Sequence, residues 1–476
     1  MKENNTESAR ISPNYKWLWI VFLGLVISGC ISRLYFGVFV RDQAELVVLS
    51  QQFTLIYDEQ IPVLTWLMTG LFRATDYFIL WPDIYKFICL GLCLLSVFKL
   101  TFHITKDSSL ALVAALSLFF LPTFHEDMLG EVTHTAALLA ATALSTDWMV
   151  RQKPSQVVKT QTLLILMTFW LFGFLAKHTM GFVIIAQVLA YLVAFNLPKS
   201  AKFRLIFAAV ITFILITPVY ILLASQAATL GQGFEEFHRD EGFARGLVDL
   251  LSSSLTEALI FILFGLIGCL FFKLHKKVGK NIIQTAEALF LALTLLFIVL
   301  LFVPFIILAD IAVVRDRWLA PALMLLGPLF AILISGAKTQ RIQQLRTALI
   351  GLVCVLGLFR AGEPLIDRLS GTQNIDNAPL ALMSQKLREH NPDITTYISS
   401  NYNLLATLKY QDPSLHIYSQ KNLRLFQPDE YTSRQFILLS MQYDPDLKTP
   451  HLNFKCPPKR VETLRGWTYF YEICTF

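Results

Sequence analysis

The chain has 476 residues, of which 55% are hydrophobic, 13% aromatic and only 16% charged, against about 25% charged in soluble domains. A chain this apolar, with a mean hydropathy of +0.55, cannot cover a soluble core with polar surface, so it reads as a polytopic membrane protein. The net charge of +6 comes without a basic stripe interleaved with aromatics, and no nucleic acid is expected as a partner.

Residues 1–16 form a polar N-terminal tail. The apolar run that follows starts at Trp17 and lacks a small-residue cleavage pattern, so it reads as a retained first helix rather than a signal peptide. Membrane-length or near-membrane-length runs then recur at Trp17–Val40, Tyr85–Ile104, Ser108–Phe124, Val132–Val150, Thr160–Ala176 and Met180–Phe195. They continue at Phe203–Leu223, Leu255–Leu274, Ala288–Ala309, Trp318–Ser335 and Ala348–Phe359, which makes about eleven spans by hydropathy. Lysines and arginines gather in alternate connections: Lys16, Lys106, Arg151 with Lys153, Lys199 with Lys202, Lys276 with Lys277, and Lys338 with Arg341. The positive-inside rule puts these loops and the N-terminus in the cytoplasm, and Asp42 and the C-terminal tail outside.

Three outward segments are long. Residues 41–83 hold two stretches with helical apolar spacing, Ala44–Ile56 and Ile61–Phe72, which read as interfacial helices lying on the membrane. Ser225–Val248 is a polar loop of functional length. After residue 361 the composition shifts toward Asn, Asp, Gln, Pro and Tyr. Strands are expected at Ile394–Ser399, Leu415–Ser419 and Gln435–Met441, and helices at Pro379–Glu389 and Tyr402–Tyr410. The fold class expected is therefore an all-α polytopic membrane protein with a small C-terminal α/β domain of about a hundred residues. Cys456 and Cys474 in that tail could form a disulfide outside the cytoplasm; the other five cysteines lie in apolar runs and read as small core residues.

Polar groups collect at the outward helix mouths. They are Arg41, Asp42, Gln43 and Glu45; Tyr57 to Gln60; His125, Glu126, Asp127, Glu131 and His134; Lys177 and His178; and Asp310, Arg315, Asp316 and Arg317. A carboxylate just past the first span, as Asp42 is, suits a base at the water–lipid boundary. Cations can bind a lipid phosphate and stabilise it as it leaves, while a carboxylate takes the proton from an incoming hydroxyl or amine. Arg317-Trp318 could equally be an interfacial anchor, Lys177-His178 a snorkelling cap, and Arg33 and Lys86 read as snorkelling cations. The segment from His125 to His134 has metal-binding residue types without zinc-site spacing, so Glu126 and Asp127 are its candidates for a divalent cation and no other cofactor is expected. There is no GxGxxG or P-loop motif.

Five of these pieces, in order over roughly residues 15–360, resemble a family: Arg41-Asp42-Gln43-Ala44-Glu45; Tyr57-Asp58-Glu59-Gln60-Ile61-Pro62-Val63-Leu64-Thr65-Trp66-Leu67; His125 through His134; Gly173-Phe174-Leu175-Ala176-Lys177-His178; and Asp316-Arg317-Trp318-Leu319-Ala320-Pro321. The chain is similar to the GT-C membrane glycosyltransferases of the bacterial protein-mannosyltransferase-like branch, which includes the aminoarabinose and galacturonic acid transferases of lipopolysaccharide. The resemblance implies a membrane domain at 17–361 and a periplasmic domain at 362–476. It implies sugar transfer from a polyprenyl-phosphate donor to a lipid, glycan or protein acceptor outside the bacterial inner membrane. Asp42 matches the presumed catalytic base, and Lys177 and Arg317 match basic positions near the donor phosphate, where Arg41 is also expected. Glu45, Tyr57, Glu126, Asp127 and His134 are then expected on the acceptor or substrate. Ile61-Pro62-Val63 departs from the family's double proline, and His178 from its usual tyrosine. The alternative reading is a transporter or flippase of lipid-linked sugars, although no pair of matched, broken halves is visible.

Overall fold

The computed structural model describes residues 12–36, 39, 41–54, 57, 62–129, 133–152, 159–230, 242–272, 274, 285–370, 380–419, 435–440, 460–464 and 467–475. In chain order the helices are α1 (Lys16–Phe36), α2 (Arg41–Leu49), α3 (Pro62–Ala74), α4 (Trp81–Thr105), α5 (Ser108–Ser117), α6 (Pro122–Leu129), α7 (Thr133–Arg151), α8 (Thr160–Phe174), α9 (Met180–Ala194), α10 (Lys199–Leu230), α11 (Gly242–Phe271) and α12 (Ala286–Leu308). A 3₁₀ turn (Asp316–Trp318) leads into α13 (Ala320–Leu323), α14 (Leu326–Leu333) and α15 (Thr339–Ser370). The tail adds α16 (Leu380–His390), β1 (Thr396–Ser399), α17 (Tyr402–Gln411), β2 (His416–Ser419), β3 (Gln435–Ser440), β4 (Arg460–Leu464) and β5 (Trp467–Thr475).

Six helices among the described residues are long and apolar enough to cross a membrane: α1, α4, α10, α11, α12 and the first part of α15. Each expected span has a helical counterpart, but several are short or broken for local reasons. The run Ser108–Phe124 stops being α-helical at Ser117, passes through a 3₁₀ turn, and restarts as α6 at Pro122. A proline has no N–H to give a continuing helix but fits a first turn. The run from Trp318 is likewise divided, with Pro321 in α13 and Pro328 in α14. Beside Pro328, a Cβ on Gly327 would stand 2.6 Å from the Ala114 carbonyl of α5, so only glycine lets these two helices approach. Asp107 caps α5 by accepting from the backbone of Ser109 and Leu110 at 2.6 and 3.3 Å.

The bundle is fastened internally by a polar knot. Trp170 of α8 donates to Gln187 of α9 at 2.8 Å, and Gln187 donates to Ser145 and Thr146 of α7 at 2.8 and 2.9 Å. Hydrogen bonds of this kind join membrane helices that have no hydrophobic reason to prefer each other over lipid. The two ends of the bundle differ. At one, Asn14 donates to Ser108 at 3.1 Å, Arg346 to Ser109 at 3.2 Å, and Arg151 pairs with Asp147 at 2.6 Å. This end belongs to the Lys/Arg-rich connections. The opposite end carries the candidate site.

The tail sheet has the order β2-β1-β3-β5-β4. The first three strands are parallel, with Thr396 opposite His416 and Tyr397 opposite Ile437, and β5 runs antiparallel to both β3 and β4. Cys474 in β5 is disulfide-bonded; Cys456 lies outside the described residues. The tail does not stand alone. One core joins Phe39, Val47, Met68 and Phe72 to Leu405, Leu408 and Ile417. The expected interfacial helices are thus reassigned in part: the apolar face of α2 is covered by α17 and β2 rather than by lipid. An apolar stripe on an amphipathic helix cannot distinguish lipid from protein as its cover.

Lys409 of α17 sits at this junction, its ammonium 4.9 Å from the Tyr77 ring centroid and donating to the Pro413 and Leu415 carbonyls at 2.7 and 2.5 Å. Burial pushes its pKa down to about 8, with Asp412 opposing and Arg73 adding to the drop. Between about 8 and the ordinary lysine range, near 10.4, the unfolded chain therefore binds more protons here than the folded one, so this group makes the tail more stable as pH rises across that window. Urea unfolding of the tail at pH 7.5 and pH 10 should show a rise in midpoint that Lys409→Met loses; an equal rise in both proteins would remove Lys409 as its cause.

Candidate active site

The site begins with a carboxylate that no apolar run announces. Asp83, at the start of α4, is buried, yet it accepts from Arg33 of α1 at 2.9 Å and from Lys86 one turn on at 3.2 Å. The Gln43 amide, fully buried on α2, donates at 3.0 Å to Asp83 Oδ1, the oxygen that Lys86 also meets, while Arg33 takes Oδ2. Arg33 and Lys86 are therefore not snorkelling cations, as expected, but partners of a buried acid. A charge at this depth persists when it is paired and hydrogen-bonded. The consequence reaches the next residue: Asp42 stands in the first turn of α2, beside a side chain bolted to α4. Asp42 is half-buried, as is Glu45 one turn further on.

A second group forms around the start of α7. Lys177, in the turn between α8 and α9, donates to Thr135 at 2.9 Å. The charges of Lys177 and Arg317 both reach the imidazole of His134, the neighbour of Thr135. Three expected site residues, distant in sequence, are thus brought together. The His134 Nε2 and the Arg317 Nε are both buried and find no hydrogen-bond partner among the described residues. Trp318, next to Arg317, is 5% exposed and packs against Phe302 and Phe305 of α12 with ring centroids 6.1 and 6.5 Å apart. It is a bundle residue that fixes the Arg317 turn, not an aromatic anchor at the membrane surface.

A third carboxylate holds the segment between these groups. Glu257 of α11, 4% exposed, accepts from the Thr123 hydroxyl at 2.6 Å and from the Thr123 N–H at 3.2 and 3.4 Å. It caps α6 from another helix and so sets the direction of the helix that carries His125, Glu126 and Asp127. The side chains of Arg41, Glu126 and Asp127 lie outside the described residues. Among the described residues no three His, Cys, Asp or Glu side chains gather as a metal site would require. Tyr57 is fully buried, and its hydroxyl donates to the Gln52 carbonyl at 2.7 Å and accepts from Thr54 N–H at 3.2 Å, closing its own loop.

Sequence reasoning missed Asp83, Thr135 and Glu257, and named Gln43 at its helix mouth without giving it a role. Two of them carried a signal. Asp83 sits at the mouth of a span, and Glu257 is an acid inside an apolar run, which is a functional hypothesis by default. Thr135 became visible only through Lys177, and the part played by Gln43 only through Asp83.

The multi-helix bundle, with acids and buried cations at one end and a small α/β tail, was compared as a whole with known proteins. Residues 60–222 match the family described as dolichyl-phosphate-mannose-protein mannosyltransferase. The chain is 25% identical over 416 residues to the lipopolysaccharide core galacturonosyltransferase RgtB of Rhizobium johnstonii, covering 84% of this chain and 81% of that protein. Its fold is similar to that of ArnT from Cupriavidus metallidurans bound to undecaprenyl phosphate, with a TM-score of 0.62 at 11% identity, covering 96% of this chain and 98% of ArnT. For ArnT in the apo state the TM-score is 0.56 at 12% identity, with the same coverage. Together these findings support a membrane glycosyltransferase of the GT-C type.

Asp83→Ala should cost about 3–5 kcal/mol, because it leaves two cations buried without their acid. Asp83→Asn should cost less, since it keeps a hydrogen-bond acceptor for them. Reversible unfolding in mixed micelles measures both. Wild-type stability in Asp83→Ala would show that water already solvates Arg33 and Lys86.

Proposed function

We propose that the chain transfers a sugar from a polyprenyl-phosphate donor to a hydroxyl of an acceptor outside the bacterial cytoplasmic membrane, lipopolysaccharide being the first acceptor to test. The observation that carries this reading is the convergence of Lys177 and Arg317 on His134, with buried polar atoms still unpartnered, at the end of the bundle where Asp42 stands. Two cations held in a low-dielectric setting suit an anion such as a lipid phosphate. The name of RgtB, a lipopolysaccharide core galacturonosyltransferase, and the undecaprenyl phosphate bound to ArnT support the same substrate classes. Loop charge supports an orientation in which this end faces the periplasm.

In the mechanism Asp42 takes the proton from the acceptor hydroxyl as its oxygen attacks the anomeric carbon. The bond from that carbon to the phosphate oxygen breaks, and its electron pair leaves on the polyprenyl phosphate. Lys177 and Arg317 stabilise this charge as it develops, Arg41 adds to them, and the anomeric centre inverts. Glu45, Glu126 and Asp127 are assigned to holding the acceptor, or, for the last two, a divalent ion. His134 is reassigned from the acceptor to the phosphate side by its neighbours Lys177 and Arg317.

The test uses purified protein in lipid nanodiscs with undecaprenyl-phosphate sugars and lipopolysaccharide, followed by mass spectrometry of donor and acceptor. Asp42→Asn should lose about 10²- to 10⁴-fold in rate with insertion intact. Arg317→Ala should weaken donor use in KM, kcat or both. Near-normal transfer by Asp42→Asn would sink the assignment of the base, and no consumption of any donor by folded wild type would return weight to the transporter reading.

A further inference from the structure

The tail's contact with the first loop has a specific geometry. Gln51, two residues past the end of α2, turns its carboxamide onto both backbone groups of Ile417 of β2, 366 positions away, while its Nε2 also donates to the Val48 carbonyl of α2 at 2.9 Å. Its Nε2 donates to the Ile417 carbonyl, and its Oε1 accepts from the Ile417 N–H at 2.9 Å. A residue of a neighbouring antiparallel strand makes that same pair of contacts with its own N–H and C=O. Among the described residues β2 is one of the two edge strands of the tail sheet, and an edge strand presents unpaired backbone groups. The side chain of Gln51 stands in for the strand that the edge lacks.

Other contacts fix the same junction. The guanidinium of Arg73, from α3, donates to the Gln51 carbonyl, and the apolar face of α2 shares its core with α17. On the opposite side, Gln43 ties α2 to Asp83 of the bundle. The helix that begins with Arg41-Asp42 is therefore gripped at its first turn by the membrane domain and just past its last turn by the C-terminal tail.

We propose that the tail is a positioning part of the catalytic unit. By clamping α2 through the Gln51 latch on β2, it fixes the direction of the Asp42 carboxylate; Gln51 is the positioning residue. This inference rests on the role proposed above for Asp42. It assigns the tail a duty in the chemical step rather than in binding the donor, because the latch acts on the helix of the base and not on Lys177 or Arg317.

The experiment uses the full chain in nanodiscs and two substitutions. Gln51→Glu keeps an acceptor for the Ile417 N–H but sets a carboxylate against the Ile417 carbonyl; Gln51→Ala removes both contacts with less disturbance. Hydrogen exchange is measured along residues 41–54, with α4 and α7 as internal references, and transfer is measured against donor concentration. Both variants should exchange faster over 41–49 while α4 and α7 keep wild-type exchange. Their kcat should fall about 10- to 100-fold with donor KM unchanged, as a small misplacement of a catalytic group produces. Unchanged exchange over 41–49 in both variants would overturn the latch. Faster exchange with wild-type kcat would overturn its positioning role. If the wild type transfers no sugar from any donor, the proposed function fails on that arm and takes the positioning role with it, while the exchange arm still decides whether the latch exists.

Discussion

The ion pairs of Asp83 are the interaction on which the site end of the molecule depends. α1 delivers Arg33 there, α4 delivers both Asp83 and Lys86, and α2 delivers Gln43. None of these elements could bury its polar group alone, because an isolated charge at that depth costs several kcal/mol. Brought together, the two cations and the Gln43 amide N–H satisfy the Asp83 carboxylate and set where α2 begins. The loop that follows the first span is thereby given a fixed start, and a fixed start is what a base at the membrane boundary requires.

Polar partners across helices recur in the bundle. Gln187 joins Trp170, Ser145 and Thr146; Glu257 takes the N-terminus of α6; Lys177 takes the Thr135 hydroxyl. Buried polar atoms in folded proteins nearly always find partners. Of the buried polar atoms without a partner among the described residues, which also include Gln43 Oε1, Asp147 Oδ1 and Thr179 Oγ1, His134 Nε2 and Arg317 Nε belong to the group around Lys177, in surroundings where positive charge accumulates. An anion bound there would be met by both cations. This is the physical content of the proposed phosphate site.

Much of the fold was legible because a bilayer simplifies the code. Apolar runs near membrane length mark helices whatever their neighbours are, and α1, α4, α10, α11, α12 and α15 follow from them directly. In the tail, β1, β2 and β3 were readable as short β-branched or aromatic runs between turns. β4 and β5 were not: Arg-Val-Glu-Thr-Leu and the sequence after Trp467 mix polar and apolar residues in a way that many loops share. Among the site residues, Asp42, Lys177 and Arg317 were readable from their places at helix mouths. Asp83 was overlooked because its meaning lies in Arg33 and Gln43, some 40 to 50 positions away. The reading of α2 as a membrane-surface helix failed for a related reason. Its stripe is real, but its cover is a domain more than 300 residues downstream in sequence.

On the proposed reaction, the two halves of the site meet two different substrates, and they are built accordingly. The cation half comes from α7, the α8–α9 turn and the 3₁₀ turn before α13, all within the bundle, where a lipid-borne phosphate can arrive laterally. The base half comes from α2, held between the bundle and the soluble tail, where the polar part of an acceptor can reach it from the water side. A bundle packed against lipid is poorly suited to hold a surface loop rigid, since the loop's outer face would have only solvent to pack on. The tail supplies that outer face. It turns a loop that would otherwise fluctuate into one wall of a site, and it does so by ordinary means: an apolar core under α2 and one side-chain amide completing the edge of a sheet.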